Sequence, residues 1–317
     1  MEARQARLDD TSAISALFRA AIETWQRLGA DGRVEDMGYE ALTVYERWLH
    51  GNALHAGEWM SIETAAIHLN RLLRGAGIPL VAVEDGRVAG YLEAYVNDEG
   101  EPFGSHLHIA HLRAEQPSAA SALMAALKER AKALKLRQLT VSSSDPNNDA
   151  IAAALRQTGE LRRLAVARRF SLPARTGQGF YRAVDYRQED AAQIAGWVMS
   201  AGRLTSARHL WETLWPGTFE TMPELRRYRT HRLRLAAGGQ DALVLCQQHM
   251  YDPRAADFFI WTLKGLAGPT VTALRDWAHR EGYRTLWLIV LESAIKALGP
   301  DAEPDAFSVE THAADIK

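Results

Sequence analysis

The apolar positions of this chain change their period in a fixed order, and each change predicts an element. In Thr11–Ala21, Ile14, Leu17, Phe18 and Ala21 share one face, which predicts a helix behind a carboxylate-rich start. Tyr39–His50 places Leu42, Tyr45 and Leu49 on one stripe, and Trp59–Arg74 does the same with Ile62, Ala66, Leu69 and Leu73. The period then shortens to that of strands. Pro79–Glu84 and Arg87–Val96 read as a hairpin around Asp85-Gly86, and His106–Arg113 follows the polar turn Asn97–Gly104 as a third strand. A long helix to about Leu134, the strand Gln138–Ser143, a short helix from Asn148 and the strand Leu161–Leu172 complete this half.

The second half replays the order. Helices are expected over Asp190–Met199 and Ala207–Trp215, then strands over Arg232–Ala236, Ala242–His249 and Phe258–Leu263. A helix from Pro269, the strand Thr285–Val290, a short helix to Leu298 and the strand Phe307–Ala313 close it. The repetition extends to residues. Ala126–Leu139 aligns without gaps on Ala273–Leu286 with five identities, and Lys128/Arg275 and Glu129/Asp276 keep their charge sign. Arg7–Phe18 aligns on Arg187–Val198, matching Asp10 with Asp190 and Ile14 with Ile194. Self-similarity of this kind predicts a duplicated fold. At 317 residues the chain exceeds what one core usually serves. Two domains are therefore expected, 1–174 with an extra helical insert and a shorter 175–317, joined through the irregular Pro173–Gly179.

Composition narrows the class. With 47% apolar and 24% charged residues, it is that of an ordinary globular chain. A formal net charge of −2 argues against a general nucleic-acid binder. The lone cysteine, Cys246, excludes an intrachain disulfide and most zinc frameworks, and its place in an apolar strand reads as packing. No apolar run is long enough to span a bilayer and the N-terminus carries no signal-peptide core, so a cytoplasmic protein without membrane contact is expected.

Helix, helix, three antiparallel strands, long helix, strand, short helix, strand, taken twice, resembles the GCN5-related N-acetyltransferases (GNAT) as a tandem pair. LDDTSAISALFRAA looks like the family's first strand and helix. VEDGRVAGYLEAYV looks like its second and third strands, with the small-residue step Ala89-Gly90, and DPNNDAI supplies Asn147 and Ala150-Ile151 after the fifth strand. The resemblance implies an α+β fold of two GNAT-like domains, each a largely antiparallel central sheet flanked by helices. It also implies a transferase: an acyl-CoA-dependent N-acyltransferase that moves an acetyl group from acetyl-CoA, bound as substrate, to an amine of a small molecule or peptide. Transfer would be by direct attack in a ternary complex, with no metal. The rival reading is a non-catalytic GNAT-fold binding or assembly protein that has lost the cofactor loop. Oligomeric state is left open, a homodimer included.

The resemblance also directs attention to the start of each long helix, where family members cradle a pyrophosphate on backbone amides of a glycine-rich loop. The first half has no glycine from Ser105 to Thr158, and Ser118 reads there as a plain helix cap. The second half comes closer: Gly265 and Ala267 occupy the two small-residue places, although Thr262 stands where the family has Arg or Gln. The expected cofactor residues are therefore Lys264, Gly265, Leu266, Ala267, Gly268, Thr270 and Val271, with Lys264 supplying charge and Thr270 and Val271 free amides. The competing reading is a turn into the helix. The tyrosine that commonly protonates the departing thiolate is missing from both halves, Ala154 and Leu298 standing in its place. Among bases, Glu93 on the third strand is best placed, with His111 on the next strand behind it; otherwise Glu93 is a strand glutamate facing water. Strand alternation puts His106 and His108 on one face and His111 on the other. Trp211 and Trp215 follow core spacing, and Arg226, Arg227, Arg229, Arg232 and Arg234 form the densest charge cluster, read as a solvated edge or an acidic-ligand contact.

Overall fold

A computed structural model describes residues 1–29, 31–52, 56–147, 149–157, 159–177, 179–225, 229–249 and 252–316. Two compact units are built from interleaved segments. Met1–Tyr95, Ile109–Lys135 and Thr218–Arg226 form the first, and Val96–His108, Leu136–Gly217 and Arg227–Lys317 the second.

The first unit opens with strand β1 (Glu2–Gln5) and helix α1 (Thr11–Arg19), followed by the hairpin β2 (Gln26–Leu28) and β3 (Val34–Asp36). Helices α2 (Val44–Asn52) and α3 (Ile62–Arg71) lead to β4 (Ile78–Glu84), β5 (Arg87–Asp98), β6 (Ser105–Ala114) and helix α4 (Pro117–Ala133), with strand order β1-β4-β5-β6; the end of β5 and the start of β6, within Val96–His108, belong to the second unit. The β4–β5 hairpin turns through two left-handed residues, Asp85 (φ 50°) and Gly86 (φ 79°), the geometry that matches strand twist. Its core gathers Ile14, Phe18, Trp59, Leu69, Val81, Tyr91 and Tyr95, with Phe18 stacked on Trp59 at 5.5 Å.

Three expectations for this unit are corrected. Leu8–Asp10 is a 3-10 turn, and the first strand lies before it at Glu2–Gln5. Only the turn Tyr39–Ala41 precedes α2, because Thr43 and Glu46 form a reciprocal cap: the Glu46 amide donates to Thr43 Oγ1 and the Thr43 amide to Glu46. α3 starts at Ile62, where Ser61 accepts the Thr64 amide, and a π turn ends it at Gly75 (φ 104°).

The second unit contains β7 (Gln138–Ser143), helix α5 (Ala150–Arg156), β8 (Arg162–Pro173), β9 (Tyr181–Asp185), β10 (Val198–Ala201) and helix α6 (Ala207–Leu214). β11 (Thr230–Ala237), β12 (Gln240–Gln248), β13 (Ala255–Thr262), helix α7 (Gly268–Arg280), β14 (Thr285–Leu291) and β15 (Glu303–Asp315) follow. The strand order is β7-β15-β8-β14-β10-β13-β12-β11-β9, so the last strand of the chain lies between β7 and β8. The expected start of α5 at Asn148 lies outside the described residues. The expected helix Asp190–Met199 is not formed. A 3-10 turn at Ala191–Ile194 gives way at Gly196 (φ 75°) to β10, whose sheet pairing overrides the helical spacing. No helix among the described residues is long and apolar enough to cross a membrane.

The repeated segments fall at matching points of the topology. α4 connects β6 to its parallel neighbour β7, with Leu107 opposite Leu139. α7 connects β13 to its parallel neighbour β14, with Ala256 opposite Leu286. Leu139 and Leu286 are the same position of the sequence alignment. Each gapless segment is thus the helix-to-strand limb of a right-length β-α-β crossover. Elsewhere among the described residues the ladders are antiparallel.

Candidate functional site

Both expected catalytic residues of the first half fall into one buried cluster. On β5, alternation puts Tyr91, Glu93 and Tyr95 on the same face, and α3 and the turn before it pack His68, Trp59 and Glu58 against them. Glu93 is 0% exposed and accepts four hydrogen bonds: Trp59 Nε1 (3.2 Å) and Tyr91 Oη (2.9 Å) on Oε2, His68 Nε2 (3.1 Å) and Tyr95 Oη (2.6 Å) on Oε1. On β6, buried His111 lies 3.6 Å from Glu58 Oε1 and edge-on to Phe18.

The electrostatics follow from this packing. Burial opposes a charge on His68, but the charge and hydrogen bond of Glu93, with the charge of Glu58, outweigh it and hold the imidazole pKa above its ordinary value. Burial likewise opposes the charge on Glu58, yet the hydrogen bond from His111 and the charges of both histidines hold its carboxyl below the usual range. Burial first, and the Glu93 charge second, push the Tyr91 hydroxyl well above its ordinary pKa, so it stays a donor.

This corrects the reading of Glu93 as a strand glutamate facing water. A carboxylate has about four acceptor positions, and four donors already meet its two oxygens with no exposed surface. Glu58, His68 and Trp59 were missed by sequence reasoning. The signal that existed was the Tyr-x-Glu-x-Tyr alternation of β5, which puts two donors beside one acceptor on one strand face. His106 and His108, both buried, take separate partners, the Gly104 carbonyl at 3.0 Å and Thr140 at 2.9 Å.

In the second half, the expected cofactor segment is a turn at the mouth of a fork. β13 and β14 pair in parallel at Ala255–Asp257 and Thr285–Trp287 and then part. β10 lies between their ends, antiparallel to both: Val198 pairs with Thr262, Met199 with Trp261, and Ala201 with Ile260 and Val290. Since β12 pairs with the same β13 residues on the other side, Ile260 to Thr262 are flanked by strands on both edges. Thr262, the departure from the family's pattern, bonds Ser200 of β10 at 2.6 Å. Gly202 leaves β10 at φ 81°, where a Cβ would lie 2.5 Å from the Phe259 ring and 2.8 Å from its Cα.

The loop residues sit as follows. Lys264 is exposed and Gly265 turns at φ 84°, while Leu266, Thr270 and Val271 are buried. Ala267 caps α7 in an extended conformation and Gly268 opens the helix. The Val271 amide, expected to be free, donates to the Ala267 carbonyl at 3.1 Å. In the first half, Gln116 caps α4 and Pro117 is its first residue, so the cap is not Ser118. Gln116 donates to Glu84, and Glu115 pairs with Arg87, tying this helix start to the β4–β5 hairpin. Trp211 and Trp215 are core residues, stacked at 4.3 Å. Arg229 pairs with Glu281 and Arg234 with Asp241, and Arg232 donates to the Trp215 carbonyl; Arg226 and Arg227 lie outside the described residues.

Residues 40–159 match the acetyltransferase (GNAT) family. No curated protein matches the sequence. Three solved structures share the fold along nearly the whole chain. A GCN5-related N-acetyltransferase from Anabaena variabilis is 12% identical, with 100% of this chain and 73% of that one covered and a TM-score of 0.61. A conserved protein of unknown function from Enterococcus faecalis, described as a probable N-acyltransferase, is 9% identical over 99% and 72%, at a TM-score of 0.55. A GCN5-related N-acetyltransferase from Kribbella flavida is 12% identical over 98% and 70%, at 0.54. At such identities they establish fold alone. Residues 40–159 thus match the acetyltransferase (GNAT) family, and the fold along the chain is the one seen in GCN5-related N-acetyltransferases.

Proposed function

We propose that this protein is an acyl-CoA-dependent N-acyltransferase that carries acetyl from acetyl-CoA to an amine of a small molecule or peptide, and that its first half takes the cofactor. The observation that carries the choice of half is the filled fork. Direct attack on a thioester needs a free strand amide to polarise the acyl carbonyl. In the second half β10 and β12 pair with both edges of β13 at Ile260–Thr262, so Lys264–Val271 leads to no free strand amide. The family match covers the first half instead, where no third strand separates β6 from β7 in the sheet order. The start of α4 offers the Ser118 amide and the positive end of a 17-residue helix, lined by the small side chains of Ala119, Ala120 and Ser121.

The non-catalytic reading is supported by a separate fact. Neither short helix carries a tyrosine, Ala154 and Leu298 occupying those places. Titration of acetyl-CoA into the full chain by calorimetry separates the two. The first reading expects saturable binding that is lost in Ala120→Tyr and retained in Lys264→Ala. An absence of heat at about 1 mM ligand, the weak end of measurable affinity, would leave the binding or assembly role. Binding lost in Lys264→Ala but kept in Ala120→Tyr would return the cofactor to the second half.

A further inference from the structure

The two ends of the strand order are finished differently. β1 is closed off: the Ala6 amide donates to the Pro79 carbonyl, which turns Gln5 away from β4, and Arg4 Nη1 then covers the Gln5 carbonyl at 3.0 Å. Arg4 is itself held by Asp10 at 2.8 Å. β9 has no such guard. It pairs with β11 alone, through five residues in regular register. The Tyr186 amide donates to the Arg232 carbonyl at 2.8 Å, so in this antiparallel ladder the even residues Arg182 and Val184 turn their backbone toward β11. Tyr181, Ala183 and Asp185 turn theirs outward, and no described residue bonds those amides or carbonyls. The strand has no bulge, proline or lysine, and it is entered through Phe180, 102% exposed.

We infer that β9 is a self-association edge: two copies of this chain join antiparallel through β9, about a two-fold axis at Ala183. The parity of the free groups limits the register. Outward-facing residues must oppose outward-facing residues, which allows Ala183 opposite Ala183 and Tyr181 opposite Asp185 of the second copy. A shift of two residues toward the N-terminus would set Arg182 against Arg182 and is disfavoured by like charge. In the centred register the other face matches Phe180 with Tyr186 and the stem of Arg182 with Val184 (36% exposed). Each is a cross-strand aromatic or apolar pair, and no like charges meet. The two-fold repeats every contact, so the exposed Phe180 is covered twice. Five residues a side make a small interface, so the dimer is reversible, with dissociation in the range of about 10–100 μM.

Sedimentation velocity of the full chain across a concentration series tests this. The wild type passes from monomer to dimer. Ala183→Pro removes an outward donor while leaving the bonds to β11, so it stays monomeric with unchanged thermal unfolding. Phe180→Ser weakens association at least tenfold. Residue-resolved amide exchange supplies a readout that does not depend on any variant folding. Ala183 and Asp185 gain protection as concentration rises, whereas Arg182 and Val184 are protected throughout. A wild type that is monomeric up to about 1 mM overturns the inference. So does a dimer that Ala183→Pro leaves intact, or exchange at Ala183 and Asp185 that ignores concentration.

Discussion

The seventh residue of β5 is Glu93 and the seventh of β12 is Cys246, each on the strand that follows its half's hairpin glycine, and each 0% exposed. The first half spends this inward position on a carboxylate held by four donors. The second puts a thiol there, among Val244, Phe258 and Leu274, with burial pushing its pKa far up. At this place one repeat therefore carries an ionic centre that depends on complete pairing, while the other carries an apolar packing and closes its fork with a strand. The difference teaches that a duplicated backbone does not constrain what fills it. Volume and satisfied polar groups are required at each place, and either chemistry meets the requirement.

The comparison breaks most easily at Glu93. Glu93→Ala leaves a protonated His68 and the hydroxyls of Tyr91 and Tyr95 without their acceptor. The expected loss is roughly 5 kcal/mol, from a broken buried ion pair together with orphaned donors. Glu93→Gln keeps the shape and loses the charge, for about 3 kcal/mol. The pH dependence gives the mechanism. The His68 pKa is raised by folding, so its contribution is complete below the ordinary 6.5 and disappears as pH rises through the folded value. The Glu58 pKa is depressed, so its contribution is complete above the ordinary 4.5 and disappears as pH falls through the folded value. Urea unfolding should show this cluster contributing most between those two values, and Glu93→Gln should flatten the alkaline limb. A wild-type limb that the variant leaves unchanged would show that His68 is neutral in the folded protein.

Gly202→Val attacks the other side of the comparison. The residue sits at φ 81°, and an added Cβ meets the Phe259 backbone, which cannot swing aside as a side-chain tip can. Strain and overpacking together should cost about 3–4 kcal/mol, independent of pH between 5 and 8. The pH independence is the useful part. A pH-dependent stability loss in this variant would mean that the disturbance reaches the buried Arg203–Glu99 ion pair next to it.

How much of this was legible in the sequence depends on the range of the interaction. The β4–β5 hairpin was readable because Asp85-Gly86 is a local signal, and α4 and α7 because seventeen and thirteen residues sustain a helical face. β10 was not readable. Val198–Ala201 continues the spacing of the residues before it, and only its pairing with Thr262 and Val290, far along the chain, makes it a strand. The same distance hid the cage around Glu93. His68 lies 25 residues and Trp59 34 residues from it, and nothing in either neighbourhood marks them as its donors. Motif reading favoured Gly265 because glycine is visible in one residue. The strand that closes the fork behind it is visible only in three dimensions.

The smallest effect is expected at that glycine, and it is the sharpest test of the division between halves. Gly265 lies at φ 84°, and no atom stands within 4 Å of where a Cβ would be. A side chain there meets no neighbour, so the cost of Gly265→Ala is the left-handed backbone alone, about 1 kcal/mol. The pyrophosphate reading predicts a further loss, of acetyl-CoA affinity, because an added side chain would stand between the backbone and the phosphates. The filled fork predicts none. Thermal unfolding of Gly265→Ala with and without acetyl-CoA reads both quantities in one experiment. The variant should melt slightly below the wild type and be shifted upward by the ligand to the same extent. A smaller ligand shift in the variant would mean that Lys264–Val271 holds the cofactor despite β10, and that the strand must then give way when it binds.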